Sequence, residues 1–367
     1  MLDLLSRADL ALGRLDGATE VLPNPELFVA MYVRQEAVLS SQIEGTQASL
    51  ADVLEYETAA ARRNLPGDVG EVVNYVRAMD YGLARLEQLP LSLRLIREIH
   101  AELLKGVRGG ERSPGEFRTS QNWIGQAGDT IETATFVPPP PLEMVRAMGE
   151  LEKFLHAPIP MPILLKAGLV HAQFETIHPF LDGNGRMGRL LITFFLVQQK
   201  VLSRPLLYLS FFFKQHRDEY YDRLQAVRTR GDWEGWIKFF LRGVGTVGTQ
   251  ATDTARQILR MREEHRRQLS QGRGAGNTLR LLDLLYEKPV VTAKNVQEGL
   301  GVTHPTANAL LGQMVDAGLL DEVTGQTRNR LFVYRQYLSL FEPQSSGWTV
   351  PSHGTQDRTQ TRSGESA

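Results

Sequence analysis

The sequence predicts a mainly α-helical protein with a small second domain near its C-terminus. Up to about residue 270, apolar residues recur at spacings of three and four, and Pro or Gly marks the breaks between such segments. The 367 residues are 42% hydrophobic and 23% charged, which is typical of a globular protein with more than one packed unit. A Gly-rich segment at 271–277 then has the composition of a linker.

The composition also limits the classes of function and location. The 41 basic and 42 acidic residues give a net charge of -1, so no overall field attracts nucleic acid or an anionic membrane. The absence of cysteine excludes disulfides and thiolate metal sites and favours a reducing compartment. Charged residues interrupt the apolar N-terminal segment, and apolar stretches such as 190–197 are far shorter than the ~20 residues that span a bilayer. We expect a soluble, cytoplasmic protein without a secretion signal or a membrane-spanning segment.

The helical part contains one clear exception to the helical pattern. Residues 35–43 form a predicted helix, with Leu39 and Ile43 on one stripe and Gly45 as its C-cap. In 117–141, by contrast, glycines and a run of four prolines surround short extended pieces, which predicts a hairpin or flap with a rigid exit. The helices that follow this flap are predicted at 142–155 and 163–177.

The C-terminal part predicts a winged helix-turn-helix. Three short helices are expected at 279–286, 292–300 and 303–317, followed by a hairpin in which a turn at Gly325 joins 319–322 to 331–334. From 342 onward, Ser, Thr, Gln and Gly leave little to bury, so this tail is expected to be disordered. The chain therefore divides into an N-terminal helical region, a core, a helix with the linker, the winged unit and the tail, at 1–95, 96–245, 246–277, 278–341 and 342–367.

The segment that carries chemistry is His-Pro-Phe-Leu-Asp-Gly-Asn-Gly-Arg-Met-Gly-Arg, at 178–189. An Asp-Gly-Asn-Gly turn alone is typical of a β-hairpin. Residues 186–200, however, continue as an apolar helix, so the turn lies at a helix N-terminus, where unpaired N–H groups and the helix dipole favour an anion. Arg186 and Arg189 fall in the first turn, where the dipole disfavours cations. They therefore indicate a phosphate site.

Two further groups complete this predicted phosphate site. His178 directly precedes the loop, and an imidazole with an ordinary pKa of ~6.5 suits proton abstraction at neutral pH. Asp182 lies inside the turn, where a carboxylate beside phosphates favours Mg²⁺. The alternative is a di-iron hydrolase, since Glu175 and His178 form a Glu-x-x-His pair. That class requires a second such pair, which the sequence lacks, so we expect His171 to be a core histidine and Glu175 a structural group.

Segment 178–189 also resembles the signature of the Fic (filamentation induced by cAMP) family, His-x-Phe-x-[Asp/Glu]-Gly-Asn-Gly-Arg-x-x-Arg. Every fixed position is present, and the resemblance extends from about 25 to 245. It implies a Fic-type helical bundle with a β-hairpin flap that binds ATP with Mg²⁺. It also implies transfer of AMP to Ser, Thr or Tyr hydroxyls of target proteins, with 96–245 as the catalytic core.

The resemblance implies a role for each residue of the segment. His178 would deprotonate the target hydroxyl, Phe180 would anchor the loop, and Asp182 would hold Mg²⁺. The remaining positions would bind the nucleotide, with the turn at the α- and β-phosphates and the arginines at the outer phosphates. These residues are Gly183, Asn184, Gly185, Arg186, Gly188 and Arg189.

A second stretch, Ser-Ser-Gln-Ile-Glu-Gly at 40–45, resembles the inhibitory motif of the same family, [Ser/Thr]-x-x-x-Glu-[Gly/Asn]. Its position is similar to the subclass with an N-terminal inhibitory helix, here near 30–45. The resemblance implies that Glu44, with Ser40 at the start of the motif, pairs with Arg189 and withholds it from the γ-phosphate. Breaking a buried pair costs ~3–5 kcal/mol, so basal turnover would be low. The alternative is a helix end with one exposed glutamate.

The resemblance extends to the two walls of the site. The flap, at 117–137, would bind the target backbone by strand addition, with Ile131 or Thr133 as the clamp. Residues 122–125 could equally be core packing at the base of the hairpin. On the adenine side, Tyr221 is the predicted nucleotide contact, and the alternative is that Tyr220 and Tyr221 both belong to the core.

The winged unit leaves the choice of partner open. Its predicted recognition helix, 303–317, contains no Lys or Arg, and only Arg328 and Arg330 suit a phosphate backbone. Protein interaction or homodimerisation therefore stands beside DNA binding. The rival function is a transcriptional regulator with a nucleotide-sensing domain. Within the enzyme class, the site could also transfer another phosphate-containing group, or remove AMP with Glu44 orienting a water.

Overall fold

The computed structural model describes residues 1–20, 25–58, 67–125, 128–270 and 275–341. Within these ranges the chain forms fifteen helices and three two-residue strands, which confirms the mainly α fold. The predicted disordered tail, 342–367, and the first part of the predicted linker lie outside the described residues. The elements are α1 Leu2–Glu20, α2 Pro25–Ile43, α3 Leu50–Glu57, α4 Val69–Leu86, α5 Leu93–Leu103, α6 Pro141–His156, α7 Ile163–Ile177, α8 Asn184–Gln198, α9 Ser210–Gln215, α10 Arg217–Arg230, α11 Trp233–Ser270, α12 Ala275–Glu287, β1 Val290–Val291, α13 Ala293–Leu300, α14 His304–Asp316, β2 Asp321–Glu322, β3 Phe332–Val333 and α15 Arg335–Leu338.

The centre of the protein is the pair of helices α7 and α8. Helix α8 buries twelve of its fifteen residues, and a helix that is apolar on all sides must be surrounded by other elements. Helices α2, α4 and α5 contact α8, while α6, α10 and α11 contact α7. The N-terminus of α8, which carries the predicted phosphate-binding turn, is therefore held from several sides.

The two central helices meet at a loop whose geometry follows from its sequence. Helix α7 ends at Ile177, and His178, which caps it, adopts a left-handed conformation with φ 49° directly before Pro179. Proline disfavours the α conformation of the residue before it, so the helix stops here. Helix α8 begins at Asn184, two residues earlier than predicted, because Gly183 caps it in the left-handed region. Arg189 consequently lies in the second turn rather than the first.

The predicted flap is an irregular segment with little strand pairing. Its pairing within the described residues is one antiparallel bridge, in which Ile124 and Phe136 exchange N–H···O bonds of 2.8 and 3.0 Å. Residues 126–127 lie outside the described part of the chain. The four prolines then lead into α6, which begins at Pro141, where the absent N–H of proline is tolerated.

The C-terminal unit contains the three predicted helices, α12, α13 and α14, and the predicted hairpin of β2 and β3, together with a strand, β1, that was not predicted. Gly301, with φ 68°, forms the turn between α13 and α14, and the strands make a three-stranded antiparallel sheet in the order β1-β3-β2. The unit packs against the helical body, since Phe341 contacts Tyr32 of α2 with ring centroids 5.3 Å apart. Helix α11 leads from the helical body towards this unit. It runs unbroken through residue 245, so the helix does not end at the predicted boundary of the core. No helix in the described ranges is both long and apolar enough to cross a membrane.

Close contact between α4 and α8 depends on Gly82. A Cβ atom at this position would lie 2.3 Å from Phe194 Cζ. We expect Gly82→Ala to lower the free energy of unfolding by about 1–3 kcal/mol, because overpacking a rigid core outweighs the better helix propensity of alanine. The matched control is Gly149→Ala in α6, where a Cβ would meet nothing within 4 Å and stability should rise slightly. Urea denaturation measures both, and equal changes in the two variants would contradict this account.

Candidate active site

Contacts of Phe180 and Asn184 hold the loop between α7 and α8 in its conformation. The ring of Phe180 is fully buried and stacks on His100, with centroids 3.7 Å apart. Asn184 Oδ1 accepts from the Phe180 amide at 2.9 Å, and Asn184 Nδ2 donates to the Phe180 carbonyl at 2.8 Å. The structure thus places Phe180 as a buried anchor. It uses the Asn184 side chain to shape the loop, so a direct contact of that side chain with phosphate stays a prediction.

His100 is part of the site and was missed by the sequence reasoning. Its Nδ1 accepts from the Gly115 amide at 2.9 Å, which assigns the ring proton to Nε2, and Nε2 lies 2.9 Å from the carbonyl oxygen of Asp182. Burial lowers the pKa of His100 to about 4, so the ring is neutral. Its role could not be predicted from the sequence, because a single histidine on an amphipathic helix, 82 residues from its partner, has no distinguishing pattern.

The first turn of α8 presents unpaired backbone groups at this loop. Gly183 adopts φ 74°, and its amide donates to Asp182 Oδ1 at 2.6 Å. The amides of residues 184–186 follow in the first turn, which has no preceding turn to accept their hydrogen bonds. Together with the helix dipole, these groups make the turn attractive to an anion.

Arg189 and Glu44 form an ion pair above this turn. Arg189 Nη2 lies 2.7 Å from Glu44 Oε1, while its Nε donates to Ser40 Oγ at 2.8 Å and its Nη2 to the Ser40 carbonyl at 2.9 Å. The Arg189 side chain is 2% exposed, and that of Glu44 is 33% exposed. A Cβ on Gly185 would lie 2.1 Å from Glu44 Oε1, so the carboxylate rests directly against the glycine turn.

The charge of Glu44 is fixed by its partner. Burial raises the pKa of Glu44, but the charge and hydrogen bond of Arg189 act more strongly together, and the net pKa is below the ordinary value of 4.5. At neutral pH the site therefore already contains one anion, which occupies the end of α8 and engages its arginine.

Arg186 points into the protein rather than into the open part of the site. Its side chain is 2% exposed, and its Nη1 lies 3.0 Å from Glu71 Oε2 on α4. Arg108 binds the other oxygen of Glu71 at 3.1 Å, and Asp182 Oδ1 lies 3.8 Å from Arg186 Nη2. These contacts position the loop against α4. The predicted contact of Arg186 with the outer phosphates stays a prediction, and Glu71 had no recognisable signal in the sequence.

His178 is held as a neutral imidazole. Burial and the positive charge of Arg228 lower its pKa to about 4, and the Glu175 carbonyl and Glu44 oppose this only in part. Its carbonyl accepts from Arg118 Nε at 3.0 Å, so the backbone is tied to the base of the flap. Its Nδ1 is buried and has no partner with hydrogen-bond geometry among the described residues. A neutral ring at pH 7 is able to accept a proton.

His171 and Glu175 lie beside the site, as expected of structural groups. His171 is fully buried, with Nδ1 2.9 Å from the Gly188 carbonyl and Nε2 3.0 Å from the Tyr220 hydroxyl. Glu175 is 5% exposed, and a Cβ on Gly188 would lie 2.3 Å from its Oε1. Across the described ranges, no three His, Cys, Asp or Glu side chains come together as a metal site.

The walls of the site are the flap and helix α10. Tyr220 is buried and belongs to the core, whereas Tyr221 is half-buried, with the Arg217 guanidinium 5.0 Å from its ring centroid. On the flap, Ile131 is 40% exposed, while Thr133 Oγ1 lies 3.2 Å from Asp129 Oδ1 and stabilises the turn. Both residues are exposed, so the choice between the two predicted clamp residues stays a prediction.

Two profiles of known protein families match the sequence of this chain. The profile described as Fic/DOC family N-terminal matches residues 2–84, and that of the Fic/DOC family matches 90–196, together more than half of the chain. The chain belongs to the Fic/DOC family. The second match contains the loop and the first turns of α8, and the first contains Glu44 and Glu71.

Individual Fic relatives agree with this assignment. The chain is 32% identical over 204 residues to a protein adenylyltransferase Fic of Culex quinquefasciatus, covering 54% of this chain and 37% of that protein. It is 31% identical over 184 residues to a probable protein adenylyltransferase of Aquifex aeolicus, covering 48% of this chain and 52% of that protein. The matched region thus spans about half or less of these curated relatives.

Solved Fic structures share the fold. A Fic family protein from Desulfovibrio desulfuricans superposes with a TM-score of 0.57 at 17% identity, covering 91% of this chain and 95% of that one. A Fic domain containing signaling protein from Bacteroides thetaiotaomicron gives 0.55 at 17% identity, covering 68% and 97%. These similarities support the fold alone.

The Fic resemblance implied Mg²⁺ at Asp182, and the residues present fit such an ion. The Asp182 side chain is 35% exposed, and only its Oδ1 is engaged by Gly183 and Arg186 in the described part of the chain. Mg²⁺ is commonly held by one or two carboxylates together with substrate phosphates. A single open carboxylate beside an anion-binding turn meets that requirement.

Glu175 should make stability depend on pH. Burial raises its pKa to about 7 from an ordinary 4.5, so the folded state disfavours the charged form. The resulting loss of stability is absent below pH 4.5, grows up to pH 7 and persists above it. At pH 8 we expect Glu175→Gln to have a higher free energy of unfolding than the native protein. This gain should be larger at pH 8 than at pH 5 by on the order of 2 kcal/mol. Urea denaturation at both pH values tests this.

The matched control for this experiment is Glu150→Gln, an exposed glutamate on α6 whose side chain is 72% exposed. It should show the same stability difference from the native protein at both pH values. If Glu175→Gln behaves in the same way, Glu175 does not titrate in this range.

Proposed function

We propose that this protein transfers AMP from ATP to a Ser, Thr or Tyr hydroxyl of a target protein. The observation that carries this proposal is the juxtaposition of a neutral imidazole, His178, with the anion-binding N-terminus of α8. The printed names of the relatives, protein adenylyltransferase, support the same chemistry. The loop between α7 and α8 would bring a nucleoside triphosphate and the proton acceptor His178 close together.

The reaction balances with the groups present. The hydroxyl oxygen of the target forms a bond to the α-phosphorus of ATP, the bond from that phosphorus to the bridging oxygen of the β-phosphate breaks, and pyrophosphate leaves. The hydroxyl proton passes to His178. Its pKa of about 4 makes it a weak base, but the negative charge of a bound triphosphate raises the pKa towards neutrality.

The charge of the triphosphate is balanced by the end of α8 and by Arg189. The glycine turn lets the phosphates approach the backbone closely, since Gly183 and Gly185 carry no side chain there. Mg²⁺ at Asp182, when bound, would neutralise phosphate oxygens. Tyr221 borders the same space and would contact the nucleoside.

We further propose that Glu44 inhibits this reaction. Its carboxylate is bound to Arg189 at 2.7 Å and lies against Gly185, where a phosphate group would have to sit. Two anions at one arginine repel each other, so ATP must displace Glu44 before it binds productively. Activity then depends on how firmly α2 holds Glu44 in place.

The remaining features of the proposal concern partners and location. The target would add its backbone to the flap near Ile131, which is 40% exposed. We propose a cytoplasmic protein able to form a homodimer, with the C-terminal unit as an interaction module for protein or DNA.

Removing Glu44 should release the activity. We expect Glu44→Gly, incubated with ATP labelled at the α-phosphate, to label itself at least about tenfold more than the native protein, since tenfold corresponds to only ~1.4 kcal/mol. Glu44→Gly combined with His178→Ala should give no label. The matched control is Glu57→Gly. Glu57 lies at the end of α3, and its carboxylate pairs at 2.9 Å with Arg34 of α2, the helix that also carries Glu44 at its end. This variant should label like the native protein.

Label that arrives from the γ-phosphate instead would indicate a phosphoryl transfer and overturn the proposal. The same conclusion follows if the His178→Ala combination remains as active as Glu44→Gly alone.

The hydroxyl of Ser40 should contribute separately to inhibition. Because Ser40 Oγ accepts from Arg189 at 2.8 Å, we expect Ser40→Ala to raise self-labelling to a level between the native protein and Glu44→Gly. The control is its neighbour, Ser41→Ala, whose buried hydroxyl has no hydrogen-bond partner among the described residues. Ser41→Ala should leave labelling unchanged, and equal effects of the two substitutions would show that packing, not this hydrogen bond, matters.

A further inference from the structure

A cavity of about 470 Å³ lies on the side of α2 that faces the C-terminal unit. Its walls come from α2, the segment that leads into α9, helix α11 and the last residues of the C-terminal unit. No residue of segment 178–189 lines it. Its volume is in the range of small-molecule sites, and ligand sites occur preferentially where separate structural units meet.

The lining combines aromatic rings with hydrogen-bond acceptors. Tyr32, Tyr208, Phe211 and Phe341 supply the aromatic surface. Tyr208 is 4% exposed, and its buried hydroxyl has no hydrogen-bond partner within the described residues. A buried polar group without a partner is costly in an empty site and is satisfied by a ligand that bonds to it.

The charged lining residues of the cavity are acidic. Glu36 of α2 is 2% exposed and accepts hydrogen bonds from the Tyr75 hydroxyl at 3.1 Å and from the Ser210 amide at 3.3 Å, as well as from the Ser210 hydroxyl. A carboxylate offers about four acceptor positions, so one remains. Asp253 lies at the exposed rim, where it pairs with Arg256 at 3.4 Å, and no Lys, Arg or His stands among the lining residues themselves. Burial raises the pKa of Glu36 to about 7, and an ammonium group beside it would favour its charged form, so the cavity favours a cation over an anion.

We propose that this cavity binds a small amine with an aromatic body. The ammonium group donates to the Glu36 carboxylate and to the Tyr208 hydroxyl, and the ring packs among the aromatic side chains, which also attract a cation through their faces. This site is distinct from the nucleotide site, and its ligand differs from ATP in the sign of its charge.

Occupation of the cavity acts on the inhibitory contact, a consequence that rests on the proposed function. Glu36 and Leu39 line the cavity, and Ser40 follows directly on the same helix. Any movement of α2 that releases Glu44 from Arg189 would also move Glu36 and Leu39, which form part of the cavity wall. A ligand that fits the wall as it stands therefore favours the paired arrangement and lowers the rate of AMP transfer.

The first test measures binding by the full chain, with phenethylamine as the probe and 3-phenylpropionate, of similar size and opposite charge, as its control. Titration followed by NMR should show saturable binding of the amine at least about tenfold tighter than that of the acid. Glu36→Gln should reduce this preference. Gln250→Trp, which fills the cavity from an exposed lining position, should weaken amine binding about tenfold or more, and Ala251→Leu should act in the same direction.

Two results would overturn the site. The first is equal binding of the acid and the amine. The second is amine binding that neither Gln250→Trp nor Ala251→Leu reduces, although both variants unfold at the same urea concentration as the native protein.

The second test measures self-labelling from α-labelled ATP. Saturating phenethylamine should lower it several-fold in the native chain, and little in Glu44→Gly. An unchanged or raised native rate rejects the regulatory step. If no variant transfers AMP, the proposed function fails while the binding comparison still decides the site.

Discussion

The arrangement of the site depends on the buried N-terminus of α8. A helix that is apolar on all sides occupies the centre of the protein, and this brings its positive end into a low-dielectric environment where electrostatic contacts are strong. Such an end attracts an anion. In the structure described here the anion is the carboxylate of Glu44, delivered by α2 and bound to Arg189. The same charge requirement thus supports both parts of the proposed function, nucleotide binding and its inhibition by Glu44.

The parts of the site that could be predicted from the sequence are those contiguous along the chain. The loop from His178 to Arg189 combines a proline, fixed glycines and an apolar helix, and each of these has a local structural meaning. Helix α7 has its predicted bounds, and α6 and the predicted elements of the C-terminal unit lie within four residues of theirs, because Pro, Gly and apolar spacing mark them locally.

The parts that could not be predicted depend on distant contacts. Glu71 lies 115 residues from Arg186, and nothing in an amphipathic helix distinguishes a glutamate that will be buried from one that will be solvated. Arg118 and Arg228 likewise acquire their roles only through the tertiary fold. The direction of the Arg186 side chain, inward to α4, followed from this missed partner.

The length of α11 has a mechanical meaning for the relation between the two domains. As one uninterrupted helix of 38 residues it extends about 57 Å, and its hydrogen-bonded backbone transmits rotation without bending at a hinge. Each residue advances a helix by about 100°, so inserting a single residue within α11 would turn its last part, where Arg262 binds Asp283 of the C-terminal unit, relative to the helical body. Such a turn would separate the unit from α2, because the packing of Phe341 on Tyr32 requires the present length of α11.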